Sequence, residues 1–309
     1  MTATTDKRVS DERFGYVLAA LAAIVSGVSV YVNSLGVQSV ADPILYTTLK
    51  DGVVGLALLL PLAASRSRRA EYRRLDRRTW GWMVALALTG GSVPFALFYT
   101  GLQATTAATA ALINHFQFVL VAVFAAAFLR EAIRPAMWTG LAVLLLGTSL
   151  GTNLRALAWN EGAALVGVST VLFAIDFVIA KHLLGAVSTL TVMTARMTLG
   201  TGMLLVYVIA SGRLDQVTRL GPTQWELVLI TGVILLAFTT TTFTAIRLAS
   251  VSAVMAVGAA APIITTLLQV GVGGQLQLAG SDIAGLAVTL MAVVAVVVVG
   301  VRRSTVPSG

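Results

Sequence analysis

The sequence predicts an all-α integral membrane protein of ten transmembrane helices, arranged as two inverted five-helix repeats. Three observations carry this reading. The chain is 57% hydrophobic and only 11% charged, with a mean hydropathy of +0.90, whereas a soluble globule carries about 25% charged residues. Its apolar residues gather into runs long enough to cross a hydrocarbon core of ~30 Å as helices rising ~1.5 Å per residue. The chain also matches itself at offsets of 144 to 146 residues. In lipid only helices and closed barrels satisfy their backbone polar groups. Even the β-branched stretch from Val294 to Val299 therefore reads as helix, because its run is too long for a barrel strand.

The elements follow in order. Residues 1–13 form a polar tail with three cations, and the run behind it is of full spanning length without a small-residue cleavage pattern, so it reads as a retained helix and not as a signal peptide. Spans are expected at 14–36, 43–64, 79–101, 105–129 and 135–153, making a first repeat over 14–155. Further spans at 161–184, 187–210, 224–248, 251–273 and 281–301 make a second repeat over 156–303, followed by a short tail at 304–309.

The self-match supports this division. Tyr99-Thr100-Gly101-Leu102 faces Phe243-Thr244-Ala245-Ile246 at an offset of 144, Gly140-Leu141-Ala142-Val143 faces Gly285-Leu286-Ala287-Val288 at 145, and Lys50 pairs with Arg196 at 146. Five spans is an odd number, so the second half sits upside down relative to the first, the arrangement of many secondary transporters.

Orientation follows from the basic residues. With the N-terminus cytoplasmic, inside segments collect sixteen Lys and Arg, seven of them between Arg66 and Arg78, while the outside loops hold only Arg155, Arg213 and Arg219. That bias places both termini in the cytoplasm and the chain in the cytoplasmic (inner) membrane. The basic loop between the second and third spans reads as a topology determinant beside anionic lipid, not as a nucleic-acid site.

Chemistry is bounded next. The chain has no cysteine, which excludes disulfides, thiol nucleophiles and cysteine metal sites. Gly147-Thr148-Ser149-Leu150-Gly151 has the spacing of a hydrolase nucleophile elbow, but that chemistry needs a strand-turn-helix. Inside a spanning helix the glycine pair is instead a close-packing surface. No P-loop is present, so energy for transport comes from a gradient or exchange. No catalytic residue, metal ligand or cofactor is expected.

Ionisable groups within spans are costly and mark function. Here they are Lys50, Asp51, His115, Asp176 and Arg196, with Asn114 and Gln117 beside the histidine. Counted from span midpoints at ~1.5 Å per residue, all lie within ~3 to 6 Å of the midplane, where repeat-built transporters hold solute. Asp176 and Arg196 share a depth on consecutive helices and read as a buried ion pair. At ~100° per residue Asn114 and Gln117 point roughly together and His115 points aside. Lys181 and His182 read as snorkelling interface residues. In the run Thr239 to Thr242 each hydroxyl either lines a cavity or bonds the carbonyl one turn back. Pro94 and Pro262 are hinge candidates, since each frees a carbonyl and bends its helix.

Tyr99 to Ala108, the fourth span through Phe128-Leu129-Arg130-Glu131, and Trp138-Thr139-Gly140 together resemble the signature of the EamA-type drug/metabolite transporters. The resemblance covers nearly the whole chain by span count, repeat length and loop charge. It implies ten spans, cytoplasmic termini, a central cavity lined by spans 1, 3, 4, 6, 8 and 9, and export of amino acids, drugs or other small metabolites. Glu131, which ends the fourth span beside Arg130 and Arg134, reads as a helix-end or loop-ordering charge at the cytoplasmic interface, with a gate role as the alternative. Two positions break the match between halves: Phe118 stands opposite Pro262, and Gln275 opposite Glu131. Expected partners are a small-molecule solute and the bilayer, with no nucleic acid; a homodimer is left open. The alternative is a membrane-integral enzyme acting on a lipid-linked substrate, which needs an ionisable cluster at one interface that the short outer loops do not supply.

Overall fold

The computed structural model describes residues 2–40, 42–131, 135–150, 159–272 and 280–303. Among them there is no strand. The helices of the first half are α1 (Thr2–Ser39), α2 (Pro43–Ala64), α3 (Arg66–Arg73), α4 (Arg77–Leu86), α5 (Val93–Ala104), α6 (Ala107–Leu129) and α7 (Pro135–Leu150). Those of the second are α8 (Glu161–Leu184), α9 (Thr189–Ala210), α10 (Pro222–Leu248), α11 (Val251–Gly258), α12 (Ala261–Gly271) and α13 (Gly280–Arg303). A π-helical segment, Ala87–Ser92, joins α4 to α5, and a 3-10 turn, Leu214–Arg219, follows α9.

Helix starts are written in the sequence. Asp42, Asp76, Thr106, Asn160, Ser188 and Ser250 each accept a hydrogen bond from a backbone N–H of the turn that follows. Such caps satisfy orphan donors and contribute about 1 kcal/mol each. At the other end of α6, Arg130 is left-handed (φ 55) and halts the helix. The helix of the first span begins at Thr2, so the polar segment expected as a tail extends α1.

Among the described residues, eight helical stretches are long and apolar enough to cross a membrane: Ser10–Gly36, Pro43–Ala64, Arg77–Ala104, Leu112–Leu129, Glu161–Leu184, Thr189–Ala210, Pro222–Leu248 and Val251–Gly271. They coincide with eight of the ten expected spans. The other two fall in α7 and α13, whose apolar stretches, Trp138–Gly147 and Ile283–Val294, are shorter. Arg134, Arg155, Gly151 and Gln275 lie outside the described residues.

Packing repeats across the halves. α1 lies along α10 as α8 lies along α5, and α1 meets α11 and α12 as α8 meets α6. α2 pairs with α9, and α7 with α13. Exchanging the helices of the first half for those of the second, in chain order, therefore maps one set of neighbours onto the other. Gly147 serves the α7–α13 contact, where an added Cβ would stand 2.9 Å from the Thr289 backbone nitrogen. Outward faces carry apolar side chains such as Leu60, Phe128, Val206 and Val233, all more than half exposed, as lipid contact requires.

Two faces emerge from the loop contacts. On one, the Glu71 carboxylate accepts from the Ser188 N–H (2.7 Å) and from the Ser188 and Thr191 hydroxyls (2.8 Å each). On the other, Arg213 pairs with the α2 cap Asp42 at 2.9 Å. These contacts are counterparts, since each loop clasps the N-terminus of the other half's second helix. The arginine-rich segment 66–78, the end of α6, the α8–α9 turn and the α10–α11 junction thus share one face, as the charge count expects.

Candidate functional site

The site grows from a glycine pair. Gly90 and Gly91 lie in the π segment, where the widened turn presents the Gly90 carbonyl sideways to α8 and α9. π-bulges of this kind frequently mark functional positions. Neither position has room for a side chain: a Cβ on Gly90 would fall within the Asp176 carboxylate, and one on Gly91 would stand 2.8 Å from the Arg196 carbonyl oxygen.

Into that gap Arg196 projects. Its Nε donates to both Asp176 oxygens at 3.2 Å, and Nη2 donates to Asp176 Oδ2 at 3.0 Å and to the Gly90 carbonyl at 2.7 Å. The guanidinium also lies over the Phe243 ring, 5.6 Å from its centroid. Asp176 is fully buried and Arg196 nearly so. The expected ion pair therefore exists, and it ties the second half's α8 and α9 to the first half's π segment. Breaking a buried, hydrogen-bonded pair by removing one partner is strongly destabilising.

A second knot lies along α2. Lys50 Nζ donates to Asn33 Oδ1 on α1 at 3.3 Å and faces the rings of Tyr46 (5.7 Å) and Phe95 (6.0 Å). One turn before it, the Tyr46 hydroxyl bonds Asn33 Oδ1 at 3.2 Å and Thr231 Oγ1 on α10 at 2.8 Å. Asp51 is 1% exposed, and neither carboxylate oxygen has a hydrogen-bond partner among the described residues. Lys50 and Arg196 are the cations whose charge reaches it. Four of the five midplane ionisable groups named from sequence are thus gathered between α1, α2, α8, α9 and α10.

The fifth, His115, stands on α6 with its ring edge-on to Phe118 at 6.3 Å. Asn114, His115 and Gln117 are each half-buried, while Phe116 between them is exposed. Glu131 is not part of the central cluster. Its carboxylate accepts from the Val251 N–H (3.0 Å), the Ser252 N–H (3.4 Å) and the Ser252 hydroxyl (2.9 Å), so it caps the N-terminus of α11 from the opposite half. The two prolines both follow interruptions. Pro94 opens α5 behind the π segment, and Pro262 opens α12 behind the two-residue break after Gly258. Opposite Pro262, Phe118 sits inside an unbroken α6.

One expectation changes. Lys181 is not a snorkelling residue: its Nζ donates to the carbonyls of Ile246 and Ala249 at 2.6 Å, closing the C-terminus of α10, where a cation is favoured. His182, exposed near the end of α8, packs edge-on to Trp82 at 5.5 Å and lines a cavity on the arginine-rich face. In the threonine run, Thr240 and Thr241 bond carbonyls one turn back, whereas Thr242 is buried with an unpartnered hydroxyl. Sequence reasoning missed Tyr46, Asn33, Thr231 and Glu71. Tyr46 was findable, since it lies one turn from Lys50 on the same helix face; Glu71 was hidden among arginines.

A model described as the EamA-like transporter family matches residues 13–152 and again residues 160–298. No curated protein matches. A solved structure described only as a crystal structure of a protein shares 20% identity across 93% of this chain and 99% of its own, with a TM-score of 0.74. That likeness is one of fold.

Proposed function

The chain belongs to the EamA-like transporter family, and from that premise we propose that it is a secondary transporter of small polar or amphipathic metabolites, such as amino acids or drugs, working in the exporting direction by alternating access. It crosses the cytoplasmic membrane ten times with both termini inside, and the arginine-rich face is the cytoplasmic one. The observation that carries this reading is the buried polar cluster of Lys50, Asp51, Asp176 and Arg196, set mid-helix and shared by both halves. A helical scaffold has no use for four ionisable groups there, because each costs several kcal/mol to insert in its charged form.

Solute enters between the halves, with His115, Asn114 and Gln117 of α6 supplying polar recognition and the smaller α11–α12 surface supplying shape. Phosphorylated solutes fit poorly, since Arg196 is already matched by Asp176 and Lys50 alone offers deep positive charge. The end-caps Glu71 and Glu131, which hold the second half's helices to the first half, serve in this reading as the cytoplasmic gate. The test is flux into proteoliposomes holding the pure protein, screened across amino acids and cationic drugs. Accumulation of one class above empty vesicles supports the reading; no flux of any class, from either face and under an imposed gradient, refutes it.

A further inference from the structure

Every other buried ionisable group in the centre has a partner. Arg196 is matched by Asp176 and the Gly90 carbonyl, and Lys50 by Asn33 and two aromatic rings. Asp51 alone is almost completely buried with both oxygens unpartnered among the described residues. One turn away on the same helix, the Thr47 hydroxyl is also buried without a partner.

The charges around Asp51 are few. On its own helix it has Lys50, and from α9 it faces Arg196, whose charge is held by Asp176 of α8. α5 brings Tyr99, beside Lys50. α10 carries no ionisable side chain between Glu226 and Arg247, α1 offers the neutral Asn33, and α3 meets only the far end of α2, where Arg69 bonds the Ala63 carbonyl. Consecutive residues on a helix point ~100° apart, so the Lys50 ammonium cannot satisfy Asp51 while it remains on Asn33. A carboxylate in that position is stable only as the neutral acid or with Lys50 withdrawn from α1.

We propose that Asp51 is the proton-exchanging group of this protein, protonated in the buried arrangement described here and ionised when the neighbouring helices part. In the exchange its O–H bond breaks, the electron pair stays on the carboxylate, and the proton passes to water at the open face. The ionised side chain then draws Lys50 from Asn33, loosening α2 from α1 and, through Tyr46 and Thr231, from α10. Only the consequence, proton-driven transport, rests on the transporter reading above.

The proton itself is the probe. Infrared spectra of the purified wild-type protein in liposomes at neutral pH should show the carbonyl stretch of a buried carboxylic acid, which shifts in deuterated buffer more slowly than exposed carboxyls exchange. The band should vanish in Asp51→Asn, move without vanishing in Asp51→Glu, and persist in Asp176→Asn. Should Asp51→Asn misfold, the Asp51→Glu displacement alone assigns it. A wild type without the band, a band indifferent to both Asp51 variants, or one that never exchanges with deuterium overturns the proposal. If the band behaves as stated and yet no solute is moved in the flux screen, the transport reading fails and the proton site stands.

Discussion

Replacing Gly90 with alanine tests whether the π segment exists to hold the ion pair. The new Cβ falls within the Asp176 carboxylate, and two movements could relieve it. The backbone could retreat from α8, but the next residue already touches α9: a Cβ on Gly91 would stand 3.0 Å from Gly200 Cα, and one on Gly200 would stand 2.6 Å from Gly91 Cα. The segment is wedged, so the side chain must yield. Asp176 then leaves Arg196, whose remaining partners are the Gly90 carbonyl and the Met197 sulfur. Breaking one side of a buried pair costs about 3–5 kcal/mol. Thermal denaturation in detergent, read as loss of the monodisperse peak, should show Gly90→Ala strongly destabilised. Gly81→Ala, where nothing lies within 4 Å, is the control and should be neutral or slightly stabilised by helix propensity. In an Asp176→Ala background, which makes room for the methyl, Gly90→Ala should cost far less, a non-additivity of about 0.5–3 kcal/mol or more. If Gly90→Ala melts with Gly81→Ala, the glycine is not reserved for the carboxylate and the account of the π segment is wrong.

Other expectations are shorter to state. The chain has no native cysteine, so a single cysteine placed between Ser65 and Thr79 should be shielded from an impermeant thiol reagent in intact cells while one near Ser281 reacts; the reverse labelling refutes the orientation. His115→Ala should weaken apparent solute affinity at unchanged expression and His115→Gln should restore part of it, whereas normal affinity in both makes the histidine a packing residue. Asp176→Asn and Arg196→Gln should each impair folding or activity more than exchanging the two residues does; two silent single variants would contradict the buried pair. Glu71 lies outside the spans, where burial raises its pKa but hydrogen bonds from Ser188 and Thr191, aided by Arg247, lower it further, leaving it below the ordinary 4.5. A depressed value in the folded state means its clasp on α9 is fully present above pH 4.5 and is lost as pH falls through the lower folded value. Glu71→Gln should therefore be less stable than wild type at neutral pH, with the gap closing in acid; a gap that is constant with pH argues against the charge.

How much was legible depended on whether the signal was local. Helix positions were readable because run length, hydropathy and caps such as Asp42 and Ser188 are properties of neighbouring residues. The Asp176–Arg196 pair was readable because two charges at equal depth on consecutive helices have few other solutions. The π segment was not, since Gly90-Gly91 ahead of Pro94 signals an interruption but not its geometry. Nor were the two carboxylate caps. Glu71 and Glu131 bond N-termini 117 and 120 residues away, and nothing near them in sequence names those partners. Lys181 went wrong for the same reason: a cation near a span end suits lipid equally well until a specific helix C-terminus is found beside it.

The pattern of interruptions says more about the two halves than their remaining identity does. Neighbour relations repeat, so packing between spans is preserved without the side chains that break helices. The third span is broken by the π segment, while its counterpart α10 runs unbroken from Pro222 to Leu248. The stretch Val251–Gly271 is broken before Pro262, while its counterpart α6 is continuous through Phe118. Each half therefore keeps one interrupted wall and one rigid wall, in different places. Equal halves would present the same surface to solute from either side of the membrane. Here the first half contributes an interrupted α4–α5 and an unbroken, histidine-bearing α6, and the second contributes an unbroken, threonine-bearing α10 and a jointed α11–α12. Since a proline joint bends more readily than an uninterrupted helix, the α11–α12 break is the softer wall beside the continuous α6. Glu131 is bonded to the first residues of α11, at the far end of that segment from the break.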